Sequence, residues 1–260
     1  MDIHRHNAKA WNVESDGGES PWCQPVGADV IAAARRGDWS VILTPNKSVP
    51  KDWFGELAGA RVLCLAGSGG QQAPVLAAAG ADVTVLDISA AQLAKDRLVA
   101  DRDGLAMTLV EADMTRLADH ISGPFDLICH PISNLFIADL APVWRQCADV
   151  LRPGGRLLSG FVNPDFWLFD HDELEAGGPL QVRHKLPFDA ARDLPPALVQ
   201  GRIEKHEALE FSHSLQAQIG GQIEAGLLIA GFYEDDWSDA ATPLNAYMPT
   251  GFATLAIKPD

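Results

Sequence analysis

Short apolar runs recur through the middle of the chain and alternate with stretches of helical periodicity. Residues 62–65 (VLCL) carry no polar alternation, as suits a strand covered on both faces. Similar runs at 83–86, 106–110, 125–129 and 156–161 predict four more strands. Helices are predicted between them at 71–79, 89–103 and 139–151. Pro74 is tolerable because it falls in the first turn of its helix, where its missing N–H bonds nothing. Ser89 with Gln92 reads as a capping box, and Ile88 with Leu93 as a hydrophobic staple, so the second helix starts directly after Asp87. Asp139 is placed to cap the third helix, which Arg152-Pro153-Gly154-Gly155 stops. Beyond residue 201 the pattern resumes with strands at 207–212, 227–233 and 251–258. A helix at 213–225 carries its stripe on Leu215, Ile219 and Ile223, and Gly226 ends it. This alternation predicts an α/β fold: a doubly wound, seven-stranded, mostly parallel sheet with helices on both faces.

Two segments stand outside the alternation. Residues 1–60 hold short helices at 4–13 and 28–36, with Trp11, Trp22 and Trp39 spread among prolines and glycines. They read as an N-terminal helical arm that docks as a lid over residues 61–260. Residues 162–201, after the fifth strand, combine Phe166, Trp167 and Phe169 with the basic triplet Arg183-His184-Lys185. An ordered, substrate-side insertion is expected there.

Charge narrows the function. The 260 residues carry a formal charge of −15, which argues against a nucleic-acid backbone as partner. No apolar run approaches a membrane span, and the N-terminus is polar. Cys23, Cys64, Cys129 and Cys147 lie far apart without a CxxC pair, so they are expected reduced and the compartment cytoplasmic. His4 and His6 have no partner ligands nearby, and no metal site is expected.

The chemistry lies at the strand ends. Ala66-Gly67-Ser68-Gly69-Gly70 follows the first strand and Asp87 ends the second, the arrangement that binds the ribose of a nucleotide-like cofactor. A dinucleotide turn needs G-x-G-x-x-G, whereas these glycines stand at 67, 69 and 70, which disfavours a nicotinamide reductase. Together with Asp113 after the third strand, FDLICH at 125–130 and LRPGG at 151–155, the series resembles the class I, Rossmann-like S-adenosylmethionine-dependent methyltransferases over about residues 60–161 and again at the last helix and strand pair.

The resemblance implies that Ala66, Gly67, Ser68 and Gly70 pass under the methionine part of S-adenosylmethionine, with Gln71 as a polar contact. It makes Asp87 the holder of both ribose hydroxyls, sets Ile88 against the adenine face, and puts Asp113 and Met114 at the adenine edge. His130 is expected in the methyl-transfer site, through its backbone carbonyl or as a general base. Two departures stand out: Cys64 where the family carries an acid, and Ala66 and Ser68 where it carries glycines. Substrate contacts are expected from Asn134, Trp167 and His213, while Gln218 and Gln222 read as a solvated or interface face. The function implied is methyl transfer to a small-molecule acceptor by in-line displacement, with a non-catalytic cofactor-binding or scaffold protein as the alternative. The expected partner is the small-molecule acceptor, and the sequence leaves a homodimer open.

Overall fold

A computed structural model describes residues 2–238 and 241–260. Its centre is a seven-stranded sheet of β1 (Arg61–Leu65), β2 (Asp82–Asp87), β3 (Met107–Glu111), β4 (Phe125–His130), β5 (Leu151–Val162), β6 (Leu228–Asp235) and β7 (Gly251–Ile257). The order across the sheet is β3-β2-β1-β4-β5-β7-β6. The first five strands pair in parallel, and β7 runs antiparallel between β5 and β6. The strand order reverses between β1 and β4. In open α/β sheets the crevice at the carboxyl ends of the strands flanking such a reversal is where ligands sit.

Successive residues of each strand feed opposite faces. Val62 and Cys64 join one buried cluster and Leu63 and Leu65 the other, as a two-residue period requires. The helices α3 (Gln72–Ala78) and α4 (Ala90–Asp103) cover the first face, and α5 (Ala141–Val150), bearing the fully buried Trp144, covers the second.

The N-terminal arm is more deeply embedded than a docked appendage. It contains α1 (Ile3–Gly17) and α2 (Ala28–Arg35), and Ile31, Trp53 and Phe54 belong to the same buried cluster as β1 and α3. Ile31 is fully buried, and removing such a side chain from water is worth about 1.5–3 kcal/mol. Trp39 packs edge-on against Phe54 at 5.0 Å and so serves the core.

Three expectations are corrected. Residues 207–212 form no strand and make only an isolated bridge, Asp189 to Phe211, because side chains and loops bond this backbone instead of a neighbouring strand. The expected helix at 213–225 is a π-helical turn, Gln216–Gly220, followed by the short α9 (Gly221–Glu224). Gln218 and Gln222 are buried, not solvated: Gln218 Nε2 donates to the Val162 carbonyl at 3.2 Å, and Gln222 Nε2 donates to Thr254 Oγ1 at 3.1 Å. The wider turn lets Ala217 O accept from Trp144 Nε1 at 2.9 Å, and Gly221 passes where a Cβ would meet the Trp144 ring at 2.7 Å.

The region after β5 is ordered, with α6 (His171–Glu175), α7 (Ala190–Asp193) and α8 (Pro196–Lys205). Trp167, Phe188 and Leu209 form a third buried cluster under it.

Candidate cofactor and acceptor site

The turn after β1 is held from below by side chains. Ser68 N–H donates to Gln72 Oε1 at 3.1 Å, Gly69 N–H to Gln92 Oε1 at 2.9 Å, and Gly70 N–H to Asp96 Oδ1 at 2.8 Å. These are the amides that a dinucleotide fold leaves open for pyrophosphate. Here all three are satisfied, the last by a buried carboxylate that would repel a phosphate. Gly70 has φ +75° and a Cβ there would stand 2.9 Å from Pro25 Cβ and 3.1 Å from the Lys95 carbonyl, so only glycine fits. Ala66 occupies the left-handed region at φ 48°, a conformation glycine would adopt without strain.

Gln92 and Asp96 explain why only half of the expected capping box forms. Ser89 Oγ accepts from Gln92 N–H at 3.1 Å, but the Gln92 side chain turns to Gly69 and Cys23 Sγ instead of back to Ser89. Residues four apart share a helix face, which brings Gln92 and Asp96 together under the loop. From the sequence Gln92 reads only as a capping partner of Ser89, and nothing there marks Asp96 as a support of the loop. The polar pair at that spacing, on a face otherwise turned inward, was the available signal.

Asp87 ends β2 on the wall of a cavity of about 1140 Å³. Its carboxylate is buried, and Ser89 N–H donates to Oδ1 at 2.7 Å. Among the described residues no cationic or hydroxyl side chain bonds it. Burial, with the Asp96 charge adding, therefore pushes its pKa up to about 7 despite the Ser89 amide. A vicinal diol would supply the donors this carboxylate lacks, so the residues present fit the ribose of an adenosyl cofactor. Ala66, Gly67, Ser68, Ile88, Asp113 and Met114 line the same cavity. Asp113, however, already accepts from Thr115 N–H and Oγ1, both at 2.8 Å on Oδ1, and pairs with His4 Nδ1 at 2.7 Å through Oδ2.

The arm closes over this end of the cavity. Trp11 and Trp22 line it, and Asn12 Oδ1 accepts from Ser89 Oγ at 2.7 Å and Ala91 N–H at 3.1 Å. Gln71 does not reach the cavity: its Nε2 donates to the carbonyls of Pro21 and Gln24 at 2.7 and 3.0 Å, tying the arm to the start of α3. Gly70 likewise sits behind the lining.

Three further expected side chains are elsewhere. His130 is fully buried beside Trp144 and outside the lining, with Nδ1–H donating to the Leu65 carbonyl at 3.0 Å and Nε2 unpartnered. Burial pulls its pKa down to about 4, so the ring is neutral, and its placement does not suit a base reaching an acceptor. Asn134 donates to the Gly160 carbonyl at 2.8 Å from a buried position. His213 is buried, and Nε2–H bridges the carbonyls of Asn134 and Ile137 at 3.1 and 3.0 Å. These last two brace the loop after β4, while Trp167 alone of the expected substrate residues faces the cavity.

A mostly parallel sheet reversing at β1/β4, a small-residue turn whose amides are already satisfied and a buried acid at the end of β2 together fit a class I S-adenosylmethionine-dependent methyltransferase. Residues 63–159 match the model of the methyltransferase domain family. The chain is 48% identical over 253 residues to the uncharacterized methyltransferase YbaJ of Bacillus subtilis (strain 168), covering 97% of each, and it belongs to this methyltransferase family. It is also 28% identical over 176 residues to the ubiquinone biosynthesis O-methyltransferase of Aromatoleum aromaticum, covering 65% of this chain and 75% of that one. The fold is shared with a putative S-adenosylmethionine-dependent methyltransferase from Listeria monocytogenes, at TM-score 0.60 and 14% identity, covering 81% of this chain and 96% of that one.

Proposed function

We propose that the enzyme transfers a methyl group to a small molecule held in the cavity half above β4 and β5. The observation that carries this reading is one continuous cavity, walled at one end by Asp87 and the small-residue turn and at the other by Trp167 and its neighbours. Its volume of about 1140 Å³ exceeds the ~300–1,000 Å³ usual for one drug-sized ligand, which leaves room for a cofactor and an acceptor together.

S-adenosylmethionine, when bound, supplies a methyl group on a positively charged sulfur already activated for transfer. Asp87 holds the ribose, Ile88 and Met114 pack on the adenine, and Ala66, Gly67 and Ser68 let the methionine portion lie against backbone. Cys64 stands where an acid is expected, buried beside Cys129 on the paired strand, so it takes no charge to the methionine end. Residues 1–60 act as the lid and, with 162–201, exclude water and align the acceptor with the methyl for in-line displacement. Division into 1–60 and 61–260 is thus one of roles, since both share a core. The charge of −15 favours a small acceptor over RNA.

No helix among the described residues is long and apolar enough to cross a membrane. All four cysteines are buried and unpaired, the state a reducing cytoplasm maintains. If two copies associate, the β6 edge with its exposed Leu228 and Phe232 is the surface available to a homodimer, which light scattering after gel filtration checks. Calorimetric titration tests the main reading: S-adenosylhomocysteine binds and NAD+ does not, and the reverse order of affinities would overturn it.

A further inference from the structure

The acceptor half of the cavity contains a carboxylate that no other group engages. Residues 207–211 are pinned by Asn7 of α1, whose Oδ1 accepts from Leu209 N–H at 2.8 Å and whose Nδ2 donates to Leu209 O at 2.9 Å. Phe211 N–H donates to the Leu135 carbonyl at 2.7 Å. Leu209 and Phe211 are buried in the core, while Ala208 and Glu210 line the cavity. The basic side chains nearby are paired: Arg202 with Asp172 at 3.1 Å, Lys205 with Glu207 at 3.7 Å, and Arg183 with Glu173 at 2.6 Å. Of the other carboxylates on this side, Asp170 accepts from Glu173 N–H at 3.0 Å and Glu175 is exposed to water. Among the described residues, Glu210 has no ion pair and no hydrogen bond to its carboxylate. Trp167 and Phe188, stacked at 5.8 Å and 7°, and Phe166, edge-on to Trp167 at 5.5 Å, supply an aromatic wall to the same half.

An aromatic-walled recess whose buried carboxylate has neither an ion pair nor a hydrogen bond selects a cation with an apolar body, through the charge and through the faces of the rings. We propose that Glu210 is the acceptor-binding carboxylate, holding the ammonium of an amine with an aromatic or apolar body and taking one of its protons. This rests on the methyltransferase reading above. The ammonium gives a proton to a Glu210 oxygen, leaving a neutral amine. The nitrogen lone pair then forms the N–CH3 bond while the C–S bond breaks with its electrons to sulfur, so the sulfonium becomes a thioether. The product leaves as a methylated ammonium, and Glu210 returns its proton to water. Burial pushes the Glu210 carboxyl up to about 7, with Arg202 lowering and Asp172 raising it, which suits a group that exchanges a proton near neutrality.

Calorimetric titration of 2-phenylethylamine and its neutral analogue 2-phenylethanol into wild type, Glu210→Gln and Glu210→Asp tests this, with S-adenosylhomocysteine titrated in parallel. Wild type is expected to prefer the amine about tenfold or more, the scale of one charged hydrogen bond. Glu210→Gln erases the preference, Glu210→Asp keeps most of it, and all three bind S-adenosylhomocysteine alike. A preference that survives in Glu210→Gln, no preference in wild type, or no binding of either probe overturns the proposal. Failure of S-adenosylhomocysteine to bind wild type would instead count against the methyltransferase reading beneath it.

Discussion

Asp87→Asn separates what this side chain does for the fold from what it does for the ligand. The carboxyl sits at about 7 in the folded protein, above its ordinary 3.8, because burial penalises the charge. Between those values the folded protein binds a proton that the unfolded chain does not, so stability falls as pH rises from about 4 to about 7 and then stays low. The full penalty above pH 7 is about 4 kcal/mol, an upper bound because cavity water relaxes it. Asparagine keeps an acceptor for Ser89 N–H and carries no charge. Urea denaturation at about pH 8 should therefore find Asp87→Asn more stable than wild type by about 1–4 kcal/mol, with the gain vanishing near pH 4. Affinity moves the other way: losing charge-assisted bonds to the ribose hydroxyls should weaken S-adenosylhomocysteine by about tenfold to a hundredfold in calorimetry. A variant destabilised at pH 8, or one that binds as tightly as wild type, refutes the reasoning.

Other substitutions probe the supports. Gly70→Ala should lose at least about 2 kcal/mol in denaturant titration from its φ and its contacts with Pro25 and Lys95, whereas Ala66→Gly should stay within about 1 kcal/mol of wild type or gain slightly. Asn12→Ala removes two bonds to the start of α4 and should cost about 1–2 kcal/mol together with a weaker hold on S-adenosylhomocysteine, measured by melting with and without ligand. His130→Asn should keep methyl-transfer kcat within about tenfold once an acceptor is in hand, since loss of a true general base costs about 10²–10⁴.

The strands and their ends were legible because buried parallel strands print continuous apolar runs, and because Asp87 must follow one of them. Ser89 as a cap followed from local chemistry alone. Long-range polar contacts were not legible. Gln92 looks like a capping residue until the loop 23 residues earlier takes its side chain, and Gln71 looks like a cofactor contact until the arm takes it. From their chain positions His130, Asn134 and His213 look like site residues, yet buried backbone carbonyls claim all three side chains. A polar residue near a strand end can serve the ligand or the loop that faces it, and only the packing decides. Glu210 was hidden for a related reason: its segment reads as a strand, and no periodicity reveals that its exposed side faces a cavity.

The most direct test of the account is a crystal structure with S-adenosylhomocysteine bound. It should place both ribose hydroxyls within hydrogen-bonding distance of Asp87, adenine between Ile88 and Met114, and the thioether sulfur facing the half of the cavity walled by Trp167 and Glu210. A ribose bound away from Asp87, or a sulfur pointing out of that cavity, would contradict it.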